Sequence, residues 1–270
     1  MGVRIFPYLP RYLRIWLRSA VSNFSIISTT RTDFISFVAG KLLRFVFPLI
    51  FFSTFFLHVP TIAGYKEGEV LLVFAGMNLI DVIVQLVWFR GLTDLQRMIR
   101  LGEFDMTLTK PMSPLFWAAF RIFDFIDLTT LPVAIWMLLY ATQRLETPLL
   151  LSQWVLGGGL FLLSLLLAFA INLTLAALNF WTTEVGNAWW LYRDTVYMSR
   201  FPPDIFPLWL KNGLIYLIPV FVITVFPALA MLGRLSTFLL AWGIGISLTW
   251  FIGSLLFWRH ALRHYTSASS

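Results

Sequence analysis

Residues Leu214–Leu232 read LIYLIPVFVITVFPALAML: almost wholly apolar, but interrupted by Pro219 and Pro227. Proline inside a helix removes a hydrogen bond and clashes with the preceding turn, so the stretch has two readings. As one full span it brings the total to seven and puts the termini on opposite sides of a membrane. As a re-entrant or broken helix pair it leaves six spans, with both termini on one side. Cytoplasmic loops collect Lys and Arg, so charge arbitrates. Arg4, Arg11, Arg14, Arg18 and Arg31 precede the first span, Arg90, Arg97, Arg100 and Lys110 lie between the second and third, and Arg259 and Arg263 follow the last. The loops 60–68 and 141–153 hold only Lys66 and Arg144. Six spans fit this distribution and leave Lys211 and Arg234 outside; seven would expel Arg259 and Arg263. The expectation is an all-α polytopic fold with six spans, both ends cytoplasmic, and 214–232 re-entrant.

Composition supports a membrane chain. Of 270 residues, 59% are hydrophobic and only 12% charged, with 27 Phe and 12 Trp. Soluble domains carry about twice that share of charge, so an ordinary water-soluble enzyme is excluded, as are disorder and coiled coil. The net charge of +7 would suggest nucleic acid in a soluble protein. In a membrane protein it reads as positive cytoplasmic loops, and no nucleic-acid partner is expected. The chain has no cysteine and three histidines, which excludes thiolate chemistry and leaves little for a metal centre. The expected spans are Phe34–Val59, Glu69–Phe89, Phe116–Tyr140, Trp154–Thr182, a short Val185–Phe201, and Thr237–Trp258, all in one transmembrane domain, 1–270.

The first twenty residues lack the early apolar stretch of a signal peptide. Within 10–31, Arg11, Arg14 and Arg18 fall on one arc of a helix at about 100° per residue, with Trp16 and its apolar neighbours opposite. That pattern suits a helix lying flat in the interface as an anchor on the lipid bilayer; a plain charged lead-in to the first span is the alternative. Lys41 and Arg44, in the first half of the first span, have stems long enough to snorkel to the interface.

Little else in the chain carries chemistry. Gly40-Lys41 lacks the remainder of a P-loop, so no ATP site is expected. Gly157–Gly159, Gly243 and Ser247 favour close helix packing. Intramembrane acids are costly and often functional. Arg121, Asp124 and Asp127, spaced by three, would share a face of a continuous third span. With Asp81 they read either as a salt-bridge ladder pinning that span to its neighbours or as a proton or substrate relay. Arg193 and Asp194 in the fifth span have the same two readings.

The connection Arg90–Pro114 reads RGLTDLQRMIRLGEFDMTLTKPMSP. Its middle is amphipathic, and Lys110-Pro111 turns the chain back. Such an element suits docking into a groove on a soluble partner; an ordinary solvated loop is the alternative. Arg100, Gly102-Glu103-Phe104-Asp105, Leu108, Lys110-Pro111 and Ser113-Pro114 resemble the R-x-G-E-L-D-x-x-L-x-x-P-x-S-P segment of type-2 ABC exporter permeases, in particular their uncharacterised "permease component" branch. Phe201-Pro202, Ile205-Phe206-Pro207, Ile218-Pro219, Phe226-Pro227-Ala228 and Leu232-Gly233 are similar to that branch's second motif region. The ending Trp258-Arg259, Leu262-Arg263 and Tyr265 resembles its close. Phe201 and Phe104 stand where Tyr and Leu are usual.

The resemblance implies a transmembrane subunit of an ATP-driven exporter, not itself an enzyme. Two permease chains, like or unlike, would form the pathway above separate ABC ATPase subunits, which carry the ATP and Mg. No cofactor is expected on this chain. Gly102–Pro111 would be the coupling helix, with Glu103 and Asp105 as exposed acids facing the ATPase. Leu214–Leu232 would close the outer gate, with breaks at Pro219 and Pro227. The location implied is the cytoplasmic (inner) membrane of a prokaryote. A secondary transporter would favour an inverted repeat, and none is visible. A membrane-embedded lipid-modifying enzyme would favour a His/Asp/Glu cluster, which three scattered His do not supply.

Overall fold

A computed structural model describes residues 31–182 and 185–265, together with Tyr12 and Trp16. The described residues are helical, with one isolated bridge between Ile62 and Tyr65 and no strand. Helix α1 spans Arg31–Phe56 and α2 spans Glu67–Val84; a π-helical turn, Gln85–Phe89, carries α2 directly into α3, Arg90–Arg100. Two short helices follow, α4 (Glu103–Leu108) and α5 (Pro114–Phe120), then α6 (Phe125–Gln143), α7 (Leu151–Leu178) and α8 (Gly186–Met198). After α9 (Leu208–Asn212) and a second π turn come α10 (Val220–Thr224), α11 (Phe226–Met231) and α12 (Thr237–Arg263).

Among the described residues five helices are long and apolar enough to cross a membrane: α1, α2 with α3, α6, α7 and α12. The bundle is built around α2, nearly all of whose residues are buried. Its apolar sides face outward instead, through Phe37, Phe47, Leu162, Ile252 and Leu256 among others, as expected where lipid is the solvent. Helix α8 has 13 residues, about 20 Å at 1.5 Å per residue, less than a hydrocarbon core of about 30 Å. From Met198 the chain runs on through a turn and a 3-10 turn, Pro203–Ile205. Trp189 meets Phe89 at 5.3 Å, Phe201 meets Phe52 at 5.7 Å, and Tyr65 donates to Asp204 at 2.6 Å.

The stretch Phe116–Tyr140 is not one helix. Ser113 Oγ accepts from Phe116 N–H and Pro114 opens α5; the helix then stops at Phe120. Asp124 caps α6, its Oδ1 accepting from Ile126 N–H at 2.9 Å. The Asp124 N–H donates to the Leu86 carbonyl, inside the π turn, at 3.3 Å. The predicted shared face of Arg121, Asp124 and Asp127 therefore does not form, because Asp124 starts a helix rather than continuing one.

Both ends of the 204–234 stretch lie at one end of the bundle. Asp204 bonds Tyr65, and the Arg234 guanidinium donates to Glu69 at 2.8 and 3.1 Å and to the Gly64 carbonyl at 3.0 Å. Between them, Ile223 and Thr224 share a small cavity with Asp81, Val84 and Gln85, far down α2. The dipping segment is gripped by α7 and α12, which run side by side in the same direction, with Phe180 on Trp258 at 5.4 Å. A Cβ on Gly157 would lie 2.3 Å from Met231 Cγ, and one on Gly243 would lie 3.0 Å from Phe226. Ser164 Oγ donates to the Val222 carbonyl at 3.2 Å. Pro219 precedes α10 and Pro227 sits in the first turn of α11, a position that needs no amide hydrogen.

Candidate functional site

The acids inside the bundle are met by cations from other helices. Lys41 Nζ lies 2.6 Å from Asp127 and 3.9 Å from Asp124, while Arg90 Nε approaches Asp124 at 3.2 Å. Arg44 lies 2.9 Å from Asp81 and donates to the Tyr197 hydroxyl at 3.3 Å. Lys41 and Arg44 thus turn inward, where snorkelling to the interface was the expectation, because an unpaired buried carboxylate costs more than bending a long stem. Arg121 pairs with Asp94 on α3. Arg193 rests on the rings of Trp190 and Tyr197, at 4.5 and 5.7 Å; Asp194 is exposed. These pairs tie α1, few of whose side chains are buried, to α2 and α6.

At the end of the bundle bearing α3 and α4, the chain makes a tight corner. Arg100 ends α3, and Gly102 follows at φ 71°, a left-handed conformation that a Cβ would strain. Helix α4 is then fixed by one side chain. Phe104 is fully buried, with its ring 5.4 Å from Phe180 and 5.3 Å from Tyr265; Tyr265 also meets Phe180 at 5.5 Å. The corner is therefore joined to the ends of both α7 and α12.

The acids of this segment have partners on the protein. Glu103 pairs with Arg97 at 2.8 Å, and Asp105 lies against Tyr265, whose phenol is pushed up to about 12 by burial and then by that carboxylate. Apolar side chains project as well: Leu101 is 61%, Met106 72% and Leu108 42% exposed. Lys110 covers the Trp117 ring at 3.8 Å, beside exposed Pro111. Tyr12 accepts from the Ser113 N–H at 3.0 Å and packs on Phe116, and Trp16 meets Phe123 edge-on at 5.2 Å. Arg11, Arg14 and Arg18 lie outside the described residues. The aromatic cage was missed by reading the segment alone; its signal was Phe104 in place of Leu, together with Tyr265 at the far end of the chain.

The opposite end is closed by ion pairs among connecting segments. Lys66 pairs with Glu146, Arg234 with Glu69, and Lys211 with Asp204 at 2.5 Å. Burial alone would raise the Asp204 carboxyl, but hydrogen bonds from Lys211 and Tyr65 outweigh it and hold the group below the usual range. Among the described residues no cluster of His, Asp or Glu could hold a metal ion.

Comparison with curated proteins and with solved structures gives no match. The profile of one family, described as ABC-2 family transporter protein, matches residues 42–269. That match takes in most of α1, the other four long apolar helices, the α3–α4 corner, the dipping segment and Tyr265, and so most of the chain: it belongs to the ABC-2 family of transporter proteins.

Proposed function

We propose that this chain is one half of the membrane pathway of an ATP-driven exporter, worked by ABC ATPase subunits through the α3–α4 corner. Family membership makes it a multi-pass permease component of an ABC transporter, a partner of ABC ATPase subunits rather than an enzyme. The observation that carries the finer reading is the combination at the corner. Apolar side chains project from it, while Phe104 locks it to α7 and α12. A partner pressing on Leu101, Met106 and Leu108 would move two long spans as a body, as a lever between a soluble motor and a bundle must.

In this reading the corner and both termini face the cytoplasm of a prokaryotic cell, bounded by its inner membrane. The 204–234 stretch is a re-entrant outer gate that breaks at Pro219 and Pro227. A second permease chain, like or unlike, completes the pathway, and ATP and Mg bind the ATPases. Mutual burial of Met106 and Leu108 would supply the contact, with Lys110 and Arg100 at its rim. The test is co-purification of the ATPase with the tagged chain and substrate-stimulated hydrolysis by the complex. Met106→Glu with Leu108→Glu, both at exposed positions, should leave the permease folded and lose the ATPase. An ATPase retained with normal stimulation would overturn the assignment.

A further inference from the structure

Two recesses adjoin near the end of the bundle that bears the ion-paired connections. One, of about 230 Å³, is lined by the charged Lys66, Glu69, Arg144, Glu146 and Arg234 together with apolar side chains. The other, of about 170 Å³, is almost purely apolar and lies between α2, α6, α7 and α11, with Gly76, Leu138, Trp154, Gly158 and Phe161 in its walls. Met231 lines both, so one flexible side chain separates them. Of the three cations in the charged recess, Lys66 and Arg234 are matched by Glu146 and Glu69. Arg144 is not: its guanidinium donates to the Tyr140 hydroxyl at 2.6 Å and lies 5.0 Å from that ring, and no carboxylate is among its described partners. The recess is therefore biased towards an anion. Tyr140 stacks on exposed Trp136 at 5.3 Å, and Trp154, in the wall of the slot, is also exposed. Trp and Tyr favour the level of the lipid headgroups.

We infer that the two recesses together form a binding site for an acidic phospholipid of the surrounding leaflet, with its phosphate at Arg144 and one acyl chain in the slot beside Gly158. A cation-biased chamber beside a dry slot, with the flexible Met231 between them, has the division of an anionic lipid, and a free phosphate would leave the slot unused. Gly158 borders the open part of the slot: a Cβ there meets nothing within 4 Å, whereas its neighbour Gly157 is packed against Met231. The inference goes beyond the transport reading and does not rest on it, since the site lies at the other end of the bundle from the corner.

The test is native mass spectrometry of the full chain in detergent micelles. It is titrated with phosphatidylglycerol, with phosphatidylcholine of the same acyl chains, and with glycerol phosphate as the headgroup alone. Phosphatidylglycerol should be retained roughly fivefold better than phosphatidylcholine, the effect of about one cation near a lipid surface, and glycerol phosphate should not be retained. Arg144→Gln should erase the preference, and Gly158→Leu should lower retention of both lipids. Gly159→Leu, also in open space, should change nothing. A second reading needs no filled slot: brominated-chain phosphatidylglycerol should quench the Trp154 emission, taken as the difference between wild type and Trp154→Phe. Equal retention of the two lipids, Arg144→Gln without effect, glycerol phosphate bound as well as the lipid, or Trp154 unquenched would each overturn the proposal.

Discussion

Truncation of Phe104 to alanine tests the mechanical joint most directly. The ring is fully buried, and Phe→Ala at such sites costs about 3–5 kcal/mol. Its edge contacts with Phe180 and Tyr265 account for part of that, at about 0.5–1.5 kcal/mol per aromatic pair. Helix α4 has six residues and cannot hold its shape alone, so the loss falls on the docking of the corner rather than on the long spans. At ~1.4 kcal/mol per tenfold, the lower limit of about 3 kcal/mol moves the docked-to-free ratio of α4 by roughly two orders of magnitude. Hydrogen exchange over residues 101–110 should accelerate by a comparable factor, while exchange in α7 and α12 stays slow. In the assembled complex, hydrolysis should continue but cease to respond to substrate. Phe104→Leu, which keeps most of the apolar volume, should retain most protection and most coupling. If Phe104→Ala left both exchange at the corner and substrate-stimulated hydrolysis unchanged, the lever argument would be wrong.

Two further outcomes are expected. Lys41→Met strands Asp127, whose side chain is 2% exposed, and should lower stability by about 3–5 kcal/mol; Lys41→Met with Asp127→Leu should recover most of it, as read by the thermal midpoint of the solubilised chain, and an unaltered midpoint for the single variant would refute the pairing. Reporter fusions at Lys66, Thr147 and Lys211 should read outside and those at Thr107 and Ser269 inside; an outside signal at Ser269 would restore seven spans.

What the sequence disclosed follows from what pattern can encode. Long apolar runs declare helices whatever their neighbours, so α1, α2, α6, α7 and α12 were legible, and Pro219 and Pro227 marked the interruption of 214–232. Asp124 was misjudged because one carboxylate fits either a helix interior with i, i+3 partners or an N-cap. The choice was made by a distant group, the Leu86 carbonyl of a π turn, which no local spacing announces. Asp105 showed the same limit: it looks solvent-bound in a polar connection, yet it lies against Tyr265, while Glu103 stays at the surface, paired with Arg97. The exposed Leu101, Met106 and Leu108 could be found only after Phe104 was seen to take the buried position on α4. Gly102, in contrast, was readable, since a glycine between two amphipathic helical stretches suggests a left-handed corner.

The pairing of α1 with later helices has a consequence for biosynthesis. Chains are made from the amino terminus, so Lys41 and Arg44 reach the bilayer before Asp81 and long before Asp127. A lone Lys or Arg near the centre of a nascent helix opposes insertion by about 2.5–3.5 kcal/mol. Helix α1 is thus poorly able to settle by itself, and its neutralising carboxylates arrive later, with α2 and α6. Translation order and settling order run in opposite senses: α1 waits at the insertion machinery or the lipid surface, and α2 and α6 draw it in.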